Sequence, residues 1–135
     1  MVETTSLGCT RGLLRFFESL ILDLEEYAEW NFKLSIPDKD GVTERQHLEE
    51  VERQSGRTPL ALQGTPFPEL LEYVWVAFLL LNQGRGQGFN GPLPLSFQDI
   101  LAWQQLTENY LLPWEVSAIK RLDAVYLRVV NKNGS

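Results

Sequence analysis

The run Gly84-Arg85-Gly86-Gln87-Gly88 has the spacing of a phosphate cradle, with glycines that let backbone amides approach an anion and an arginine among them. Its context argues otherwise. The run follows an apolar stretch of helical period instead of a strand, lacks a Lys-Ser/Thr pair and meets Pro92 before another helix can begin. A flexible helix-to-helix loop is the better reading. The single histidine, His47, falls on a polar segment with no second histidine for a metal and no nucleophile at a recognisable elbow, so it reads as a surface residue. Cys9 sits among small residues without a motif for nucleophilic or metal chemistry, a bystander thiol. The pairs Glu25-Glu26 and Glu49-Glu50 are adjacent on expected helices, so their carboxylates diverge and build no acid and base pair. No catalytic, cofactor-binding or metal-ligating residue is expected, and an enzyme ranks last among the readings.

The aromatic set Tyr73, Trp75, Phe78, Phe89, Phe97, Trp103, Tyr110 and Trp114 has no basic groove beside it, which points to core and protein contacts instead of base stacking. Composition agrees. The chain has 135 residues, 44% hydrophobic and 22% charged, the profile of one ordinary domain with a single core. Its formal charge of −6 repels phosphate backbones. That charge is uneven: residues 1–56 hold 6 basic and 12 acidic side chains, and residues 57–135 hold 6 of each. An acidic N-terminal helical segment, 1–56, is therefore expected beside a compact, aromatic-rich body, 57–135. One cysteine permits no internal disulfide and suits a reducing compartment. Met1 is followed by Val2, Glu3, Thr4 and Thr5, not by a basic leader, and the apolar run Tyr73 to Leu81 is nine residues, too short to span a bilayer.

The elements that must carry these residues read as helices. Leu13, Phe17, Leu20, Leu24 and Tyr27 recur at three- and four-residue steps, predicting an amphipathic helix over about Arg11 to Trp30; Leu14, Phe16 and Ile21 widen its apolar face toward a second neighbour. Thr43 with Gln46 has the form of a capping box opening a second, polar helix that stops near Ser55-Gly56. The segment Thr58 to Pro68 holds three prolines and reads as an extended linker. Pro68 suits the start of a third helix, with Leu70, Leu71, Val74, Phe78 and Leu81 on one face. Tyr73, Trp75, Val76, Leu79 and Leu80 make that helix apolar nearly all round, hence central or in a partner interface. Ser96 with Asp99 caps a fourth helix to about Thr107. Pro113 starts a fifth, with Val116, Ile119, Leu122, Tyr126 and Val129 at helical spacing. The fold class is all-α, a small five-helix orthogonal or bundle-like domain with no confident strand.

From about His47 to Arg128 an ordered series stands out: Glu52-Arg53-Gln54-Ser55-Gly56-Arg57-Thr58-Pro59, Tyr73-Val74-Trp75, Gly84-Arg85-Gly86, Pro94 through Trp103, Pro113-Trp114-Glu115-Val116 and Arg121-Leu122-Asp123. This series, about 80 of the 135 residues, resembles phage tail assembly chaperones, in particular the downstream chaperone encoded between the tail tube and tape measure genes. The resemblance implies a small helical, non-catalytic protein of the host cytoplasm that holds the tape measure protein soluble while tail tube subunits polymerise around it. In that arrangement the downstream part is often a frameshift extension of an upstream chaperone, and the long acidic segment that follows Met1 departs from it.

The partners implied are the tape measure protein, the tail tube protein or an upstream chaperone, with a second copy of the chain as a further candidate. Nucleic acid and membrane are not expected partners. Trp75, Phe78 and Leu79, with Trp103 and Trp114, are the expected contact anchors, because aromatic residues dominate interface energies. Two other readings stand beside this one. An acidic inhibitor of a host defence or nucleic-acid enzyme would gather Asp23, Glu25, Glu26, Glu29, Glu49, Glu50 and Glu52 on one exposed surface in imitation of DNA. A minor tail component would remain in the virion.

Overall fold

Both capping boxes form. The structure, a computed structural model, describes residues 2–133 and, within them, the side chains of residues 15–132. After α1 (Val2–Ser35), α2 (Glu44–Ser55) opens where Thr43 Oγ1 accepts the Gln46 N–H and Gln46 Oε1 accepts the Thr43 N–H at 2.8 Å. It stops at Gly56, left-handed at φ 74°, whose N–H donates to the Glu52 carbonyl. Ser96 and Asp99 repeat the box at the start of α5 (Phe97–Thr107), with bonds of 2.9 and 3.0 Å. The last helix, α6 (Pro113–Asn133), begins at the predicted proline.

Four expectations need correction. The first helix runs past both expected ends, Arg11 and Trp30: it spans Val2–Ser35, and Phe32 continues its buried stripe toward the C-terminal end until the chain nears Pro37. The linker is not wholly extended: α3 (Leu60–Gln63) forms one turn inside it. Trp30 Nε1 donates to the Ala61 carbonyl at 2.6 Å, and Gly64, at φ 62°, lies so close under the Trp30 ring that a Cβ would sit 2.5 Å from it. Beyond Pro68 a 3-10 turn, Glu69–Leu71, precedes α4 (Glu72–Gln83). Finally, the glycine-rich loop is built: β1 (Gln87–Gly88) pairs antiparallel with β2 (Gly91–Pro92), register Gln87 to Pro92. The expectations for Cys9, Leu13 and Leu14 lie outside the described side chains.

One core joins α1, α4 and α6. Ile21, Leu24, Ala28 and Phe32 of α1 meet Val74, Trp75, Phe78 and Leu81 of α4 and Ala118, Ile119, Leu122, Val125 and Val129 of α6. Phe32 is the pivot, stacked on Trp75 at 5.6 Å between ring centroids and edge-on to Tyr126 at 5.3 Å. Burying a side chain such as Phe78 completely stabilises the fold by about 2–3 kcal/mol.

Charge reinforces the α1 to α6 contact. Arg121 donates from Nε and Nη2 to the two oxygens of Glu25 at 2.8 and 3.0 Å. Glu29 lies 3.0 Å from Lys33 and 3.6 Å from Arg128, and the Lys33 hydrogen bond chiefly holds its carboxyl below the usual range. The acidic segment and the body thus share a core and an ion-paired seam. By contrast α2 buries no residue; Arg45 ties it to α1 by donating to Asn31 Oδ1 at 2.9 Å and Ser35 Oγ at 3.1 Å.

Candidate functional site

Helix α4 has two apolar faces with different fates. Val74, Trp75, Ala77, Phe78 and Leu81 are buried, whereas Tyr73, Val76, Leu79 and Leu80 stay exposed on the opposite side. A helix that is apolar all round would be expected in the middle of a fold. Here packing covers one side only, since α1 and α6 both lie on the Phe78 side. The outer side faces α5 across an open groove of about 380 Å³, lined by Glu72, Tyr73, Val76, Ala77, Leu80, Trp103 and Asn109.

The turn after α5 contributes Asn109 to this groove. Glu108 adopts a left-handed conformation at φ 58°, Gln104 Oε1 accepts the Leu111 N–H at 2.6 Å, and Glu115 Oε1 accepts the Leu112 N–H at 2.6 Å. Burial, and then the hydrogen bond to the Glu115 carboxylate, push the Tyr73 phenol above its ordinary range, so it stays a neutral donor. The Tyr73 hydroxyl thereby links the groove to the first turn of α6. More apolar surface continues along this part of the chain, with Leu70, Leu101, Leu106, Tyr110 and Leu112 all exposed.

A buried polar clasp fixes the segment between α4 and α5. Arg85 Nη2 contacts Asp123 Oδ1 at 2.5 Å, with the two side chains 2% and 4% exposed. Arg85 also donates to Asn82 Oδ1 and the Leu93 carbonyl, both at 2.7 Å, and its guanidinium lies 4.5 Å over the Tyr126 ring. The other Asp123 oxygen accepts the Leu95 N–H at 3.0 Å. The arginine that suggested an anion cradle is therefore committed to the fold.

The anchors named from sequence separate. Trp75 and Phe78 lie in the core, Leu79 is 36% exposed on the outer face, and Trp103 is half-buried in the groove wall. Trp114 lies elsewhere, stacked on Phe17 of α1 at 4.5 Å. Tyr73, Val76 and Leu80 line the groove without being among those anchors; they sit at helical spacing on the same stretch, but only the neighbours of α4 reveal which side is covered. His47 lies on the surface 3.2 Å from Asp38, and no cluster of metal-ligating side chains occurs among the described residues. Of the seven carboxylates that imitation of DNA would need, Glu25, Glu29 and Glu50 are ion-paired, to Arg121, to Lys33 and Arg128, and to Arg53.

Fold and face together define a small all-α protein with an open apolar groove, and no described helix is long and apolar enough to cross a membrane. A family model for phage tail assembly chaperones matches residues 51–128, and the chain belongs to that family. Family membership makes phage tail proteins its binding partners. The matched stretch includes every groove residue and leaves α1 outside it. No curated protein and no solved structure matches the chain.

Proposed function

We propose that this chaperone binds the tape measure protein in the host cytoplasm and keeps it soluble until tail tube subunits polymerise around it. The observation that carries the reading is the outer face of α4, where Tyr73, Val76, Leu79 and Leu80 stay exposed beside Trp103. Such a face costs solubility when bare and is useful only when covered. Leu79 and Trp103 contact the client directly, Trp75 and Phe78 hold the face in place from beneath, and Trp114 extends contact toward α1. In this reading the body, 57–135, carries the client, and the acidic segment, 1–56, keeps the loaded complex wetted. Tail tube protein or an upstream chaperone joins the same assembly.

Co-expression with the tape measure protein tests this. The soluble fraction of that protein should rise with the chain present, and should fall back with Val76→Asp and Leu80→Asp, which alter exposed positions only. An unchanged soluble fraction with the unaltered chain would refute the reading.

A further inference from the structure

Between Arg57 and Lys120 the sequence holds a single basic residue, Arg85, and that one is buried against Asp123. Neither α4 nor α5 carries a lysine or arginine, and neither does the turn that joins α5 to α6. The carboxylates are placed differently. Glu72 lines the groove, and Glu69 and Glu108, both exposed, stand one turn before it and next to Asn109. Lys120, the next cation along the chain, donates to the Leu95 carbonyl at 2.6 Å and lies 4.8 Å over the Phe97 ring. Arg121 and Arg128 face α1 carboxylates. The groove therefore has an apolar floor and one charged lining residue, Glu72, with Glu69 and Glu108 close to the lining residues in sequence and no lysine or arginine among the lining.

We infer that the occupant of this groove is a cationic amphipathic helix: an apolar stripe that covers Tyr73, Val76, Leu80 and Trp103, flanked by lysine or arginine that meets Glu69, Glu72 and Glu108. Two features of the site select that chemistry. The floor offers apolar contact along two turns of α4, which suits residues at helical spacing on a partner helix. The edges offer acceptors without donors of charge, so an acidic helix of equal hydrophobicity is repelled and a basic one attracted. A second copy presenting the same face brings no lysine or arginine to meet those carboxylates, which disfavours self-association through it. This inference rests on the proposed binding of the tape measure protein and specifies which of its segments are recognised.

Two synthetic helical peptides of about 18 residues, five turns, test it with the full chain. They share one Leu/Phe stripe and differ only in carrying Lys or Glu beside it, and binding is read by anisotropy of a labelled peptide. The Lys peptide should bind about tenfold tighter than the Glu peptide at about 50 mM salt, with the difference shrinking toward about 500 mM. Glu69→Lys with Glu72→Lys should reverse the preference, and Val76→Asp should weaken both peptides. Equal binding of the two peptides, or a light-scattering mass that doubles with concentration and is restored to the monomer by Val76→Asp, would overturn the inference. The outcomes separate from the broader reading. Tape measure solubilisation that needs Val76 but ignores the Glu69 and Glu72 reversal sinks the charge rule alone, while failure to solubilise sinks the reading of the client and leaves the peptide preference standing.

Discussion

Arg85 and Asp123 are 38 positions apart in sequence and meet inside the protein, where Arg85 Nη2 contacts Asp123 Oδ1 at 2.5 Å. The pair links the end of α4 to the middle of α6 and, through Leu93 and Leu95, fixes the path of the chain into α5. A buried ion pair contributes little net stability over an apolar pair of the same volume. Its worth lies in setting where α5, and with it Trp103, lies against α4.

Removing one partner leaves the other charged and buried. Asp123→Ala is therefore expected to destabilise the fold by about 3–5 kcal/mol, and Arg85→Met by a similar amount. The double variant should cost less than the sum by about 1–3 kcal/mol. Urea denaturation of the four proteins in a double-mutant cycle measures this, and strict additivity would show that the two side chains act independently.

The two faces of α4 separate stability from binding. Val76→Ser and Leu80→Ser, at exposed positions, should change unfolding free energy by no more than about 0.5 kcal/mol each. Phe78→Ala, two residues from each but fully buried, should cost about 3–5 kcal/mol. Thermal melts paired with tape measure solubilisation should show the first two variants folded and inactive, and the third unfolded at lower temperature.

Trp30 and Gly64 make a second close approach. A methyl group at Gly64 would sit 2.5 Å from the Trp30 ring, on backbone at φ 62°, so Gly64→Ala must displace the indole and strain the chain. We expect a loss of about 1–3 kcal/mol and a shift in tryptophan emission as the bond from Trp30 Nε1 to Ala61 is broken.

The cap on α5 has a pH signature. Bonds from the Ser96 N–H and then the Ser96 hydroxyl hold the Asp99 carboxyl below its ordinary value of 3.8. A group whose pKa is depressed by folding adds stability above its unfolded value and loses it as pH falls through the folded one. Asp99→Asn should therefore weaken the protein most at pH above about 4, with the difference from the unaltered chain narrowing in stronger acid. Ser96→Ala should cost about 1 kcal/mol at neutral pH. Denaturant titrations across the acid range check both.

The readable parts of this sequence are those set by neighbours in the chain. Thr43 with Gln46, Ser96 with Asp99, and Gly56 after a charged turn each act within four residues, and each appears where its spacing predicts. The apolar stripe of α6 behaves likewise, since one periodic face has one side to bury. The outer face of α4 was not legible, because apolar residues on every side of a helix leave its rotation undefined until α1 and α6 take up one side. Sequence alone therefore groups Trp75 and Phe78 with Leu79. Arg85 escaped for a related reason: its partner lies 38 positions away, and its glycine neighbours point to a flexible loop instead of a buried ion pair. The chaperone resemblance was readable because it rests on an ordered series of short fragments, not on any one contact.

The seam between α1 and α6 also gives the molecule a handed distribution of wetting. Arg121 pairs with Glu25 and Arg128 lies 3.6 Å from Glu29 at the surface, while Asp23 and Glu26 on α1 remain exposed. The chain thus resembles a surfactant, with a hydrated anionic side and an oily side. Two copies that approach by their anionic sides repel each other, over a distance that shortens as ionic strength rises.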